Sequence, residues 1–555
     1  MSISTTFANM IHHTHQKNPI PGKQMVQNNG GGFSFKVDDM VKLHRYIIIG
    51  SENGTYYTSP IVNTSENIDS LLSLFNSGRG VEAVELIKNI SINGRSPKQT
   101  PTLTALAFCA ILGDTKTKQA ANEALLDVCR IPTHLFEWLD LCEKVAKSSN
   151  GSTGWGRAHK RAVSNWYNNY RGGSPMELAK SITKYMQRGG WSHVDALRLS
   201  HAKPSTDAHK VVFTYIAKGF DIAKGKGDCD TCTEVLEYLQ SVEEMKSLTK
   251  VHESRAIELI HQYGLVREHI PSPLLKSISI WESLLEGMPM TALIRSLSKL
   301  TSIGVITNPP FNTKNTKMIV ERLTNQVALH KARIHPMNIL FAHRTYSSGH
   351  GDKGKLTWKP NGDIISALDR AFDLCFDNVE AANKRFLLAL DVSGSMGWTF
   401  GGGSRLTCHE ASAAMALVTM RTEPYCKAMC FSDSFNSLPI QKDSTLKEAI
   451  SSTHGQRFGS TDCSLPMIYA MEKNMKIDVF VIYTDSETYY GDIHPCQALM
   501  KYRKYSGIQD AKLIVVAMAS NGFTIADPDD AGMLDVVGFD SSTPTVMSSF
   551  AAEGF

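Results

Sequence analysis

The apolar run Phe386-Leu387-Leu388-Ala389-Leu390 carries no polar alternation and ends in Asp391-Val392-Ser393-Gly394-Ser395-Met396. Such a run predicts a strand buried on both faces, and strands of that kind belong to parallel sheets covered by helices. The rest of the C-terminal third continues in the same way. Strands are expected over 386–391, 427–431, 479–484, 512–519 and 536–538, and helices over 406–420, 445–451, 464–471 and 496–504. That alternation predicts an α/β, doubly wound and mostly parallel sheet. Ligands of such sheets sit outside the carboxyl ends of the strands.

Asp391, Ser393 and Ser395 occupy every second position of the loop at one such strand end, so their oxygens can point to one side. A hard cation such as Mg²⁺ is held by oxygen clusters of this sort. A strand-to-helix turn with an N-cap uses the same residue types. The loop Gly459-Ser460-Thr461-Asp462 and the strand end Thr484-Asp485 fall on the same edge of the sheet, which favours the metal reading over the cap.

Before this domain the pattern is helical from about 38 to 378. Apolar residues recur at three- and four-residue spacing over 69–75, 81–90, 116–129, 132–145, 175–187, 232–248 and 319–329. Short separators such as Asn76-Ser77-Gly78, Arg171-Gly172-Gly173 and Gly189-Gly190 divide them. So many helices in short-loop pairs predict a stacked α-solenoid with degenerate, HEAT-like repeats. A chain of 555 residues exceeds one core. Three regions are expected: a flexible, polar N-terminus over 1–32, the helical region over 33–378, and the α/β domain over 379–555.

No apolar run approaches the roughly 20 residues that span a bilayer, and the N-terminus lacks a signal-peptide core. No membrane contact is expected, and the cytosol or nucleus is the expected location. The eleven cysteines stand mostly in apolar contexts and are expected to be reduced and buried. Cys229-x-x-Cys232 has no zinc partner at the right spacing. The net charge of +4 is uninformative, but its distribution is not. Residues 155–218 hold eleven Lys or Arg against three acids, which points to a polyanionic partner. Arg157, Lys160, Arg161, Lys180, Lys184, Arg188 and His201 are the candidate contacts to such a partner. Lys184 and Arg188, four apart, are expected on one face of the helix over 175–187. Ser192 is expected to cap the helix that His201 follows. The interleaved Trp155, Trp166, Tyr167, Tyr170, Tyr185 and Trp191 are either stacking platforms or, more commonly at helical spacing, core.

The α/β region resembles a von Willebrand factor A domain with a metal-ion-dependent adhesion site. By that motif Asp391, Ser393 and Ser395, then Thr461, then Asp485 would be the Mg²⁺ ligands. Over nearly its whole length the chain resembles the Ro ribonucleoprotein autoantigens, whose helical part is the TROVE module. Cys129-Arg130-Ile131-Pro132-Thr133-His134, Trp155-Gly156-Arg157-Ala158, Trp191-Ser192-His193, Ala332-Arg333-Ile334-His335-Pro336 and Thr461-Asp462-Cys463-Ser464 carry that resemblance. It implies a HEAT-like ring closed by the A domain. It implies Y RNA bound outside, with Lys184, Arg188 and His201 as contacts, and single-stranded 3′ ends of misfolded noncoding RNAs in the ring cavity. A monomeric protein in a ribonucleoprotein of RNA quality control is expected.

Catalysis is not expected. An Asp-x-Asp phosphotransferase needs a carboxylate where Ser393 stands, and Gly401-Gly402-Gly403-Ser404-Arg405 lacks the lysine of a phosphate loop. A Mg²⁺-dependent nuclease would have only His409 and Asp462 near the metal for water activation. The alternative from another class is a protein-interaction scaffold that captures a partner's acidic residue through the metal.

Overall fold

The structure, a computed structural model, describes residues 13–51, 55–151, 155–310, 314–351, 355–376, 379–399, 406–456 and 459–553. The glycine run 401–405 lies outside them.

Strands β1 (Met25–Gln27) and β2 (Phe33–Lys36) precede a long succession of helices, from Asp39–Ile49 to Gly362–Leu374. Many begin on a side-chain cap that takes up an otherwise unpaired N–H, among them Asp38, Ser59, Asp114, Thr206 and Asn361. Successive helices bury their apolar faces on one another, as Thr100–Leu112 does on Pro132–Asn150 and Pro336–Ser348 on Gly362–Leu374. No helix among the described residues is long and apolar enough to cross a membrane.

Several helices break where one was expected. Asn325 caps a new helix, so 319–329 divides into Lys314–Leu323 and Gln326–Lys331. The helix expected over 175–187 stops at Lys184. Its last residues turn instead into a hairpin of β3 (Gln187–Arg188) and β4 (Trp191–Ser192). Gly189 and Gly190, at φ 57° and 85°, supply the two left-handed residues of a tight two-residue turn. Arg188 therefore leaves the helix face on which Lys184 lies.

The C-terminal domain contains β5 (Arg385–Asp391), β6 (Tyr425–Phe431), β7 (Phe435–Ser437), β8 (Val479–Thr484), β9 (Lys512–Ala517), β10 (Phe523–Thr524) and β11 (Met533–Val537). Its sheet runs β11-β9-β8-β5-β6-β7, parallel except for β7 at one edge. The central strand β5 serves two cores by alternation. Phe386, Leu388 and Leu390 join the core shared with the helical region, while Leu387 and Ala389 join a second core with Met467, Leu499 and Tyr502. Burial on both faces is the physical reason for the unbroken apolar run.

Both ends of the helical succession dock on this domain. At the start, Arg45 pairs with Asp535 and Arg95 with Asp540. At the end, Arg421 pairs with Asp369 and Asp373, and Arg344 with Glu410. The helical run thus begins and ends on one sheet domain.

Two expectations are overturned. Of the N-terminal stretch 1–32 expected to be flexible, residues 1–12 lie outside the described residues, and 13–32 pack on the sheet domain. β2 pairs with β10, and Gly32 packs so tightly on Thr488 that an added Cβ would lie 2.1 Å from its carbonyl oxygen. Polar residues of this segment resemble loose chain only because their partners are some 450 positions away, as in Asn28 to the Thr488 carbonyl at 2.8 Å. The thiols are also not all reduced. Cys229 and Cys232 are bonded across the start of the helix Asp230–Ser247, where the cap geometry holds their Cα atoms 5.0 Å apart. The other nine cysteines are free, and all but Cys426 are buried.

Candidate functional site

The five residues of the expected metal site converge on the carboxyl edge of the sheet. β5 ends at Asp391, whose Oδ1 accepts from the Ser393 N–H at 2.8 Å and whose Oδ2 accepts from Thr484 Oγ1 at 2.7 Å. The turn Gly394–Gly397 then brings Ser395 Oγ within 3.2 Å of Ser393 Oγ. β8 delivers Asp485, whose carboxylate takes a hydrogen bond from Ser395. Thr461 is fixed through its carbonyl, which accepts from the N–H groups of Tyr489 and Tyr490 at 3.1 Å. All five are under 8% exposed.

Burial, and then the neighbouring Asp485 charge, push the Asp391 carboxyl up to about 7. Burial raises Asp485 as well. A third carboxylate that the sequence reading missed, Glu487, is pushed up to about 8 by burial and by Asp485. Among the described residues no lysine, arginine or histidine pairs with any of the three. Buried carboxylates without a cation are costly, and the donors facing one another are all oxygens. Two carboxylates and the hydroxyls of Ser393 and Ser395, with Thr461 on the neighbouring loop, suit a hard divalent cation.

The N-terminal segment buttresses this edge, and nothing in local sequence signalled it. Gln16, fully buried, donates Nε2 to Asp462 Oδ1 and to the Ile493 carbonyl, both at 2.8 Å, and its Oε1 accepts from Thr488. It therefore clamps the loop after Thr461 to the loop after Asp485. Glu487 accepts from the N–H of Asn29 at 2.7 Å and of Gly30 at 3.2 Å. Asn521 Nδ2 donates to the Asp485 carbonyl at 2.7 Å.

The basic candidates lie in the helical region. Arg157, Lys160 and Arg161 share one face of the helix Arg157–Asn169 by their spacing. Arg157, Arg161, Arg188 and His201 are exposed, and Lys160 and Lys184 are half-buried. None of these six has an acidic partner among the described residues. Lys180 differs, for Glu177 holds its ammonium at 3.1 Å. His201 stands where expected, as the left-handed C-cap at φ 52° of the helix His193–Ser200, whose N-cap is Ser192. Lys184 Nζ lies 5.1 Å from the Tyr185 ring centre. The aromatic residues divide. Trp166, Tyr167 and Tyr170 are core, whereas Trp155, Tyr185 and Trp191 are half-buried. Trp155 and Trp191 stack at 5.9 Å, which brings the start of the Arg157 helix against the Arg188 hairpin.

Comparisons with known proteins agree with this division of the chain. The TROVE domain profile matches residues 26–384, and the profile described as the Ro60 vWA domain matches 385–551. A Caenorhabditis elegans protein named RNA-binding protein RO60 is 38% identical over 588 residues, covering 95% of this chain and 90% of the relative. An RNA-binding protein RO60 from Deinococcus radiodurans is 35% identical over 533 residues, covering 95% and 96%. The crystal structure of the Deinococcus radiodurans RO (RSR) protein superposes with a TM-score of 0.64 at 33% identity, covering 93% of this chain and 99% of that one.

Proposed function

The chain belongs to the Ro60 family of TROVE and vWA proteins, and we propose that it binds RNA through the basic surface around Lys184, Arg188 and His201. The observation that carries this reading is the set of six basic side chains without acidic partners, gathered around the Arg157 helix and the Arg188 hairpin. Unpaired cations on a surface are available to phosphates, and RNA helices are recognised largely by shape and backbone. The RNA class we assign is the small structured Y RNA type on this surface, with single-stranded 3′ ends of misfolded RNAs entering the ring cavity. The cellular role would be RNA quality control in the cytoplasm.

The protein is read as noncatalytic. The two groups that a Mg²⁺-dependent nuclease would recruit are occupied. His409 is buried with Nδ1 on the Met396 carbonyl, and Asp462 is held by Ser464 and Gln16. Asp391, Ser393, Ser395, Thr461 and Asp485 would hold Mg²⁺, which supplies a position for an acidic oxygen of a partner. A metal-dependent protein-interaction scaffold is therefore the second reading, favoured by the buried, unpaired carboxylates.

A gel-shift titration of a Y-type stem-loop across several salt concentrations tests the RNA reading. Lys184→Ala with Arg188→Ala should weaken binding and lower the salt slope by about 2, one for each phosphate left without its cation. Unchanged affinity would overturn it. Wild-type RNA binding should survive EDTA, whereas capture of an acidic partner should not.

A further inference from the structure

The bridge between Cys229 and Cys232 belongs neither to the sheet edge nor to the basic candidates. All eleven cysteines fall among the described residues, and Cys229 is the only exposed one. Cys426 is half-buried, and the others are buried. Cys232 is 0% exposed and joins the core of the helical region. The bond therefore links the most accessible sulfur of the chain to a buried one three residues on. A bridge that closes so short a loop constrains the unfolded chain little. Exposed bridges are the ones open to exchange with other thiols.

The surroundings suit such an exchange. Cys229 is the N-cap of the helix Asp230–Ser247, and its Sγ accepts from the Cys232 N–H at 3.2 Å. The N–H groups of a helix start favour a thiolate at that position. The loop before the helix rests on the bond. A Cβ added to Gly227 would lie 2.6 Å from Cys232 Sγ and 3.1 Å from Val211 Cγ2, on the helix Asp207–Lys218. Lys224, Gly225, Lys226 and Asp228 around this contact are exposed. A loop with so little buried surface depends on its few packed points for order.

We propose that Cys229–Cys232 is a reversible thiol–disulfide exchange site whose partner is a dithiol reductant, and that its redox state sets how firmly residues 224–228 are held. A thiolate of the dithiol attacks Cys229 Sγ, the reachable sulfur. A mixed disulfide forms, and Cys232 leaves as a thiolate that takes up a proton. The second thiol of the reductant then loses its proton and attacks the first sulfur of its own molecule. That step closes the reductant's disulfide and releases Cys229 as a thiolate at the helix start. Two electrons pass from the dithiol to the protein. Glutathione disulfide reverses the change: Cys229 attacks it and expels one glutathione thiolate, and Cys232 expels the second as the bond closes. The proposal goes beyond the RNA reading and does not rest on it.

The test uses the full chain, purified without reductant. Treatment of the folded protein with dithiothreitol should let iodoacetamide label Cys229, read by peptide mass spectrometry, while the buried cysteines of the core stay unlabelled. Desalting and then adding glutathione disulfide should abolish that labelling. Trypsin should cut after Lys224 and Lys226 about tenfold faster in the reduced, desalted protein than in the bridged one. Cys232→Ser should carry one glutathione on Cys229 after exposure to glutathione disulfide, and Cys229→Ser should carry none on Cys232. A bridge that dithiothreitol leaves closed, labelling of Cys229 that glutathione disulfide does not abolish, equal cleavage in the two states, or no glutathione on folded Cys232→Ser would overturn the site. Should the variants fail to fold, the wild-type labelling and cleavage decide.

Discussion

Arg45 Nη2 lies 2.7 Å from each carboxylate oxygen of Asp535, which joins the first helix of the helical region to the last strand of the sheet. The arginine side chain is 0% exposed, and its Nη1 donates to the Phe523 carbonyl at 2.7 Å and to the Asn521 carbonyl at 3.1 Å. Removing one partner strands a buried charge, which costs about 3–5 kcal/mol. Arg45→Ala should therefore lower the stability measured in the first urea unfolding transition by that amount. Arg45→Lys should recover less than half, because a point ammonium lacks the planar fork that reaches both sides.

Mg²⁺ should stabilise the sheet domain, because it would neutralise Asp391 and Asp485 only in the folded state. At one hundred times its dissociation constant the gain is about 2.7 kcal/mol. In a thermal melt the wild type should shift upward from EDTA to Mg²⁺, and Asp391→Ala should not respond. A wild type indifferent to Mg²⁺ and Mn²⁺ would remove the metal from this reading.

What could be read from sequence, and what could not, follows from the range of each signal. The two-core strand 386–391 and the residues of the expected metal site stood out because their pattern is local. Asp391, Ser393 and Ser395 share one loop, and Thr461 and Asp485 end up beside it by the ordinary topology of a parallel sheet. The hairpin at Gly189 and Gly190 was signalled too, since two glycines between Arg188 and Trp191 suit a tight turn, but helical periodicity up to Thr183 hid it. Gln16 and Asn29 were invisible. Their partners, Asp462 and Glu487, are more than 440 residues away, and a buried glutamine has no periodicity to betray it.

Gln16→Ala should loosen the metal edge without touching the basic surface. The substitution leaves Asp462 and Thr488 short of a partner and frees the Thr461 loop from the loop after Asp485. Loss of partners that orient metal ligands typically costs 10–100-fold in affinity. Isothermal titration with Mn²⁺ should show a loss of about that size, with RNA affinity unchanged. Equal Mn²⁺ affinity in variant and wild type would make the N-terminal segment a packing element only.

The helical region should lose stability in mild acid. Burial lowers His193 to about 3, and lowers His159, His269 and His335 to about 4, with Lys184 and Lys246 adding to the effect on His269. His193 stays neutral between the Tyr167 hydroxyl at 2.7 Å and the Tyr185 carbonyl at 2.9 Å. In the unfolded chain these rings titrate near about 6.5. Their folded values are depressed, so the unfolded state binds more protons below that pH. The stability they confer is complete above about pH 7 and drains away as pH falls from about 6.5 towards 4, by about 1.4 kcal/mol per pH unit for each ring. Melting temperature should accordingly fall steeply across that window. His159→Phe, which keeps a ring against Trp138, should make the fall shallower by one histidine's share, and an unchanged slope would show that His159 is not neutral in the folded protein.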